Sequence, residues 1–176
     1  MKKMKFFEQI KDHTYVSRET IKGNVTKVNR ELGFIYVDDH PFSLNDTFIR
    51  VGQHIQLDVG NVSKELPYQQ VVEKFEVLEE PDKVLLKKEW LSKKEDKLSL
   101  LVIGDEVFSN PFKNPHKEDL TLIDEITIKK SLSSIKAPII FLFNTEELVF
   151  QTDSYDNLLK YLFETEQLLP LTNDRK

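Results

Sequence analysis

The chain contains no cysteine in 176 residues, which excludes a disulfide framework and thiolate metal ligation and matches a reducing compartment. Glycine is scarce: Gly23, Gly33, Gly52 and Gly60 lie in the first 60 residues and Gly104 stands alone after them, five in all. That leaves no room for a glycine-rich phosphate cradle. No apolar run approaches the ~20 residues that span a bilayer. The opening MKKMKFFEQIKDH has a charged start but no continuous apolar region or small-residue cleavage site. These absences predict a cytoplasmic or nuclear protein. A basic excess is missing too, since the net charge is −5, and a protein held to nucleic acid mainly through phosphates shows a strong positive patch.

What is present is a chain with 39% hydrophobic and 31% charged residues, enough to bury a sizeable core in one large domain or two small ones. Charge is unevenly spread: residues 1–80 carry 11 basic and 13 acidic groups, residues 81–97 carry 6 and 4, and residues 98–176 carry 8 and 13. The clustered glycines imply tight turns between short strands in the first part. Pro111, Pro115, Pro138 and Pro170 punctuate longer segments in the last. The reading is an N-terminal unit at 1–80, a charged helical connector at 81–97, and a small α/β unit at 98–176.

In the first unit, MKFFEQIKDH can form an amphipathic helix with Phe6, Phe7 and Ile10 on one side. It would pack on the neighbouring strands or, alternatively, offer Phe6 and Phe7 to a partner protein. Four strand-like runs follow: TIKGNVTKVN, LGFIYVD, HIQLDVG and YQQVVEKFEVLE. Their alternation, as in Ile55, Leu57 and Val59, is that of half-buried sheet, and several short strands with turns between them suggest a small barrel.

KGNVTKVNRELGFIYV, followed by HPFSLND, VGQHIQLDV and VVEKFEVL, resembles a cold-shock-type OB fold over about residues 20–80. The likeness is nearer to the diverged cold-shock-like modules of Armitage-type RNA helicases than to bacterial cold-shock proteins. It implies a five-stranded barrel and an RNA-related, nucleic-acid-handling context. The departures fall on the binding face. Where the family pattern G-x-V-K-W-F-N has Trp and Phe, this chain has Lys27 and Val28; in K-G-F-G-F-I the first Phe corresponds to Leu32 and Phe34 remains; in V-F-V-H-F only Phe42 matches. Each base stacked on an aromatic contributes ~1–3 kcal/mol, so these losses remove most single-strand affinity. Lys22, Lys27, Arg30 and Phe34 are left as a weak candidate nucleic-acid patch, or else as solvated cations around a core phenylalanine.

In the connector, Val84, Leu85, Leu86, Trp90 and Leu91 can share a helix face. Trp90 is then packed, or serves as a platform for a peptide or base. In the last unit KLSLLVIGDE and APIIFLF read as buried strands, and DEITIKKSLSSIK as helix or strand. EELVFQ can pair back through an Asn144–Glu146 turn. TDSYDNLLKYLFETEQLL reads as a helix capped by Thr152 or Asp153, with Leu158, Leu159, Leu162 and Phe163 buried.

Nothing marks an enzyme. Gly104 and Asp105 faintly resemble the G-D-S opening of one class of serine esterases, but Glu106 stands in the nucleophile's place. His13, His40, His54 and His116 are scattered singly without metal-ligand spacing. Neither a metal nor another cofactor is expected. The sequence therefore points to an α+β protein, an OB-like barrel followed by a small α/β unit. It would act as a non-enzymatic adaptor that binds another protein in a ribonucleoprotein or nucleic-acid-processing complex. Phe6, Phe7 and Trp90 are the candidate protein contacts, no membrane is involved, and weak direct single-stranded RNA or DNA binding is the alternative.

Overall fold

The computed structural model describes residues 6–9, 15–62, 70–113 and 120–168. The chain is a mostly-sheet α+β fold with two α-helices among the described residues. It divides into two compact units, Met1–Pro81 and Asp82–Lys176.

The first unit contains β1 (Phe6–Gln9), β2 (Tyr15–Asn29), β3 (Phe34–Val37), β4 (His40–Ser43), β5 (His54–Val62) and β6 (Gln70–Glu79). Strand β2 pairs antiparallel with β1, β5 and β3 in turn along its length. β3 pairs with β4, β4 runs parallel to β6 through Phe42↔Gln70 and Ser43↔Val71, and β6 pairs back to β5. The alternation expected of β5 is realised: Ile55, Leu57 and Val59 are fully buried beside Val25, Ile35 and Ile49. The turn between β3 and β4 holds Asp38 and Asp39 at φ 49° and 69°, the left-handed pair typical of a two-residue hairpin, where Asp is tolerated.

The expected N-terminal helix is not formed: Phe6–Gln9 is strand, registered Phe6↔Arg18 to Gln9↔Tyr15. Adjacency to a long strand with an open edge supplies backbone pairing, which outweighs weak local helix propensity. The rest of that segment and the side chains of Phe6 and Phe7 lie outside the described residues.

The segment expected as a helical connector belongs to the second unit and forms two 3₁₀ turns, Lys83–Leu86 and Lys88–Trp90, around an extended Lys87 (φ −74°, ψ 140°). Leu85 and Trp90 are buried and Leu86 is exposed. Five residues apart, Leu85 and Trp90 would diverge by about 140° around an α-helix; the break at Lys87 lets both point inward. Asp82 caps the first turn, accepting from Val84 N at 2.9 Å, and also accepts from Ser134 Oγ at 3.1 Å. The Val84 amide above all holds its carboxyl below the usual range.

The second unit's sheet runs β10 (Leu148–Thr152), β9 (Ile139–Phe143), β7 (Leu98–Ile103), β8 (Ile123–Lys129). β7 and β8 are parallel, and the β7–β9 and β9–β10 pairs are antiparallel. Residues 123–129, open between helix and strand in the sequence, are therefore strand. Helix α1 (Glu106–Lys113) crosses between the parallel strands, and α2 (Tyr155–Leu168) follows β10. Leu100, Val102, Ile140 and Leu142 meet Phe112, Leu158 and Leu162 of the helices in one core.

Helix α2 is capped by Ser154, whose Oγ accepts from Asn157 N at 3.1 Å, rather than by Thr152 or Asp153. Thr152 Oγ1 instead accepts from Ser154 N. The buried stripe is rotated from the expected one. Leu158 and Leu162 are core, but Phe163 is 62% exposed. Tyr155 packs edge-on to Phe112 at 5.2 Å and Tyr161 stacks on Phe150 at 4.3 Å, so two tyrosines take the aromatic share of the contact.

Two outcomes follow. Leu158→Ala lowers stability by about 2–5 kcal/mol in urea unfolding because it leaves a cavity, whereas Phe163→Ala changes it by less than about 0.5 kcal/mol. Burial pushes the Tyr161 phenol above its ordinary value of 10.0, a smaller opposing influence coming from its hydrogen bond with Thr165. The unfolded state then ionises first, so stability falls as pH rises beyond about 10. Unfolding of Tyr161→Phe in the same range shows a shallower fall.

Candidate functional site

The patch expected to touch nucleic acid lies on β2 and β3. A register shift between Val25 and Lys27 lets β2 turn from β5 to β3 and sets Lys27 opposite Tyr36 and Asn29 opposite Phe34. Since strand side chains alternate, Phe34 and Tyr36 occupy the sheet face opposite Ile35 and Val37, together with Lys27 and Asn29. The Phe34 and Tyr36 rings meet edge-to-face at 5.5 Å, and Lys27 Nζ sits 5.0 Å from the Tyr36 ring centroid. The aromatic pair and the cation thus stabilise each other.

This geometry leaves little for a base. Phe34 is only 7% exposed, so neither face of its ring is open for stacking. Arg30, at the end of β2, donates to Asp46 O at 3.1 Å and Ile49 O at 2.8 Å, a brace across two loops. Lys22 is exposed on β2 opposite Gln56, five residues and roughly 16 Å along the strand from Lys27. Of the four expected residues, Lys27 and Phe34 come together; Lys22 and Arg30 stand apart. Tyr36 completes their cluster, and its period-two spacing from Phe34 is the signal by which sequence could have found it.

The expected protein contact at Trp90 is not available: its side chain is buried, and Nε1 donates to Val84 O at 2.7 Å. Apolar exposure appears elsewhere. Leu32 is 69% exposed in the turn between β2 and β3, and Phe48 is 74% exposed in the loop between β4 and β5. Arg30 and the Leu44 N to Gly33 O bond of 3.1 Å pin those two segments to each other. Gly33 makes the turn at φ +76°, a conformation that suits glycine. Gln53 buttresses the loop from below, donating to Phe48 O and to Glu80 Oε1 at 3.1 Å each and accepting from Arg50 N. Leu32 and Phe48 are thus two large apolar side chains on rigidly held loops.

In the second unit a cleft of about 670 Å³ opens at the carboxyl ends of β7 and β8, lined by residues 104–108, Lys130, Ala137 and Pro138. The Gly-Asp-Glu sequence sits there, but Asp105 is spent capping α1, accepting from Phe108 N at 2.9 Å, and Glu106 pairs with Lys113 at 3.4 Å. The buried Ser109 hydroxyl donates to Gly104 O, and no histidine lines the cleft among the described residues. Among the described lining residues no serine, threonine or histidine is present, so none supplies a hydroxyl–imidazole pair. No group of three or more His, Asp or Glu among the described residues could hold a metal ion.

The bracing role of Arg30 is measurable: Arg30→Ala lowers stability by about 1–3 kcal/mol in urea titration, as expected for losing charge-assisted bonds to backbone carbonyls, while Lys22→Ala leaves it unchanged. Compared with known proteins, the chain matches no family model, no curated protein and no solved structure.

Proposed function

We propose that this chain is a non-enzymatic adaptor that binds another protein within a nucleic-acid-handling, RNA-related assembly, through a cold-shock-like OB barrel whose base-binding face has been turned to internal use. Support for the barrel comes from the pairing cycle β2–β3–β4–β6–β5 and back to β2, the connectivity that closing five strands on themselves requires. The nucleic-acid context rests on the sequence resemblance. The observation that carries the protein-binding role is the exposed Leu32 and Phe48 pair on loops braced by Arg30. Leu32 occupies the position where the family pattern has a base-stacking Phe.

Preformed apolar side chains on rigid loops lose little entropy on binding and make good anchors for a protein surface. The second reading, weak direct single-strand binding, draws on the Lys27–Tyr36 pair, both half-exposed. One cation and one ring give contact with one nucleotide and little more. No helix among the described residues is long and apolar enough to cross a membrane.

The test is a fluorescence-anisotropy titration of a labelled single-stranded oligonucleotide at near-physiological salt, paired with affinity capture. The adaptor reading expects binding no tighter than ~10⁻⁶ M, and captured proteins that bind the wild type but not Phe48→Glu. Nanomolar oligonucleotide binding that collapses in Tyr36→Ala, with folding intact, exchanges the two readings.

A further inference from the structure

Strand β8 is the outermost strand of the second unit's sheet. It pairs with β7 on one side and, among the described residues, with no strand on the other. Lys129 O accepts from Gly104 N at 3.0 Å, so Lys129 turns its backbone groups toward the β7 side. By alternation Ile126 and Ile128 turn theirs outward, and the regular stretch begins at Glu125, after a register shift that leaves Asp124 as the extra residue. An open row of N–H and C=O groups is a template for another strand.

Which strand fits is written in the edge itself. Residues 124–130 read Asp-Glu-Ile-Thr-Ile-Lys-Lys. Laid antiparallel on a second copy about Thr127, Glu125 faces Lys129, Ile126 faces Ile128 and Thr127 faces itself, while Asp124, at the register shift, and Lys130, just past the strand, continue the acid-to-base order at the two ends. We propose that β8 pairs with β8 of a second copy in this register, forming a symmetric dimer with one continuous sheet.

The charges select this arrangement. Parallel pairing would set Asp124 on Asp124 and Lys129 on Lys129, and like charges directly opposite are destabilising. Moving the antiparallel centre by one residue, to Ile126, sets Asp124 against Ile128 and loses every opposite-charge pair. The chosen register gives the Glu125–Lys129 pair twice, once on either side of the dyad. The basic ends are exposed, and no ion pair engages Lys129 or Lys130 among the described residues. The acids hold looser partners: Glu125 lies 3.7 Å from Lys93, and Asp124 3.7 Å from Lys94. Pairs with one or both members in solvent contribute little and exchange readily.

Ile126 and Ile128, packed on the core by one side and still half-exposed, cover each other across the new seam. In the proposed register they form the hydrogen-bonded pairs, and Thr127 is a non-hydrogen-bonded pair on the axis. A seam built on one strand pair falls at the small end of specific interfaces, so the dimer forms in the micromolar range. This inference is independent of the first unit's role.

The test uses the full chain. It has no cysteine, so Thr127→Cys introduces one thiol per copy. Its Cα would lie about 4.5 Å from its mate in a non-hydrogen-bonded pair, within disulfide reach. Copper-phenanthroline oxidation links this variant into a covalent dimer. It leaves Lys129→Cys monomeric, since residue 129 and its own mate are roughly 14 Å apart in this register. In sedimentation equilibrium, E125K weakens self-association about tenfold or more, and E125K/K129E, which swaps the charges, restores it. A wild type that stays monomeric at about 300 µM, well above the expected range, overturns the proposal. So does equal linkage at 127 and 129, or association that E125K leaves unchanged.

Discussion

The first unit depends on one strand serving three partners. β2 pairs with β1 at its start, β5 in its middle and β3 at its end, and a straight, regular strand cannot turn from one neighbour to the next. Two local features make the change possible. The register shift between Val25 and Lys27 adds a residue and bends the strand. Gly23 leaves space that a Cβ could not enter, because Asp38 and Val37 of the β3–β4 corner close over it. Asp38 then bonds Asn24 N, and Thr26 Oγ1 accepts from Asp39 N, locking the corner onto the bend.

The polar and aromatic groups around that bend are committed to the unit's own architecture. Arg30 braces two loops, Lys27 lies over Tyr36, and Phe34 is covered. In a protein that grips single-stranded nucleic acid, the same residue types stand open to solvent, with rings free on one face. Here Phe34 is buried and Arg30 is bonded to the carbonyls of Asp46 and Ile49, while Leu32 and Phe48 are exposed on the two segments that Arg30 joins.

The second unit shows how charge can both protect and specify an edge. Edge strands commonly carry charges that discourage pairing with arbitrary chains. β8 carries Asp124 and Glu125 near its start and Lys129 at its end, with Lys130 just past it, an order that sets like charges together in a parallel copy and opposite charges together in the proposed antiparallel register. The cleft beside it has the position of a ligand crevice in an α/β sheet; there Asp105 caps α1 and Glu106 stands in solvent 3.4 Å from Lys113.

How much was legible follows from the range of the interactions involved. Alternation in Ile55, Leu57 and Val59, the unbroken apolar runs of β7 and β9, and the periodic pattern of α2 are local signals, and each element formed where they stand. The residues over 123–129 were ambiguous because Ile126 and Ile128 suit either state, and pairing with β7 decided it. Helix α1 was hidden by Pro111 within it and exists because Asp105 caps it beside a strand end. Phe6 and Phe7 became strand through their partner at residues 15–18, Trp90 became core through a break at Lys87, and Phe163 lost its place to Tyr155 and Tyr161. In the candidate site, the sequence named Lys27 and Phe34 but not that Phe34 is covered or that Arg30 is spent on carbonyls. By itself the sequence determined the residue types, the strand periods and the lack of cysteines and long apolar runs, because these are properties of neighbours along the chain. Only the tertiary structure decided which side chains remain accessible, because burial depends on surfaces brought together from distant positions.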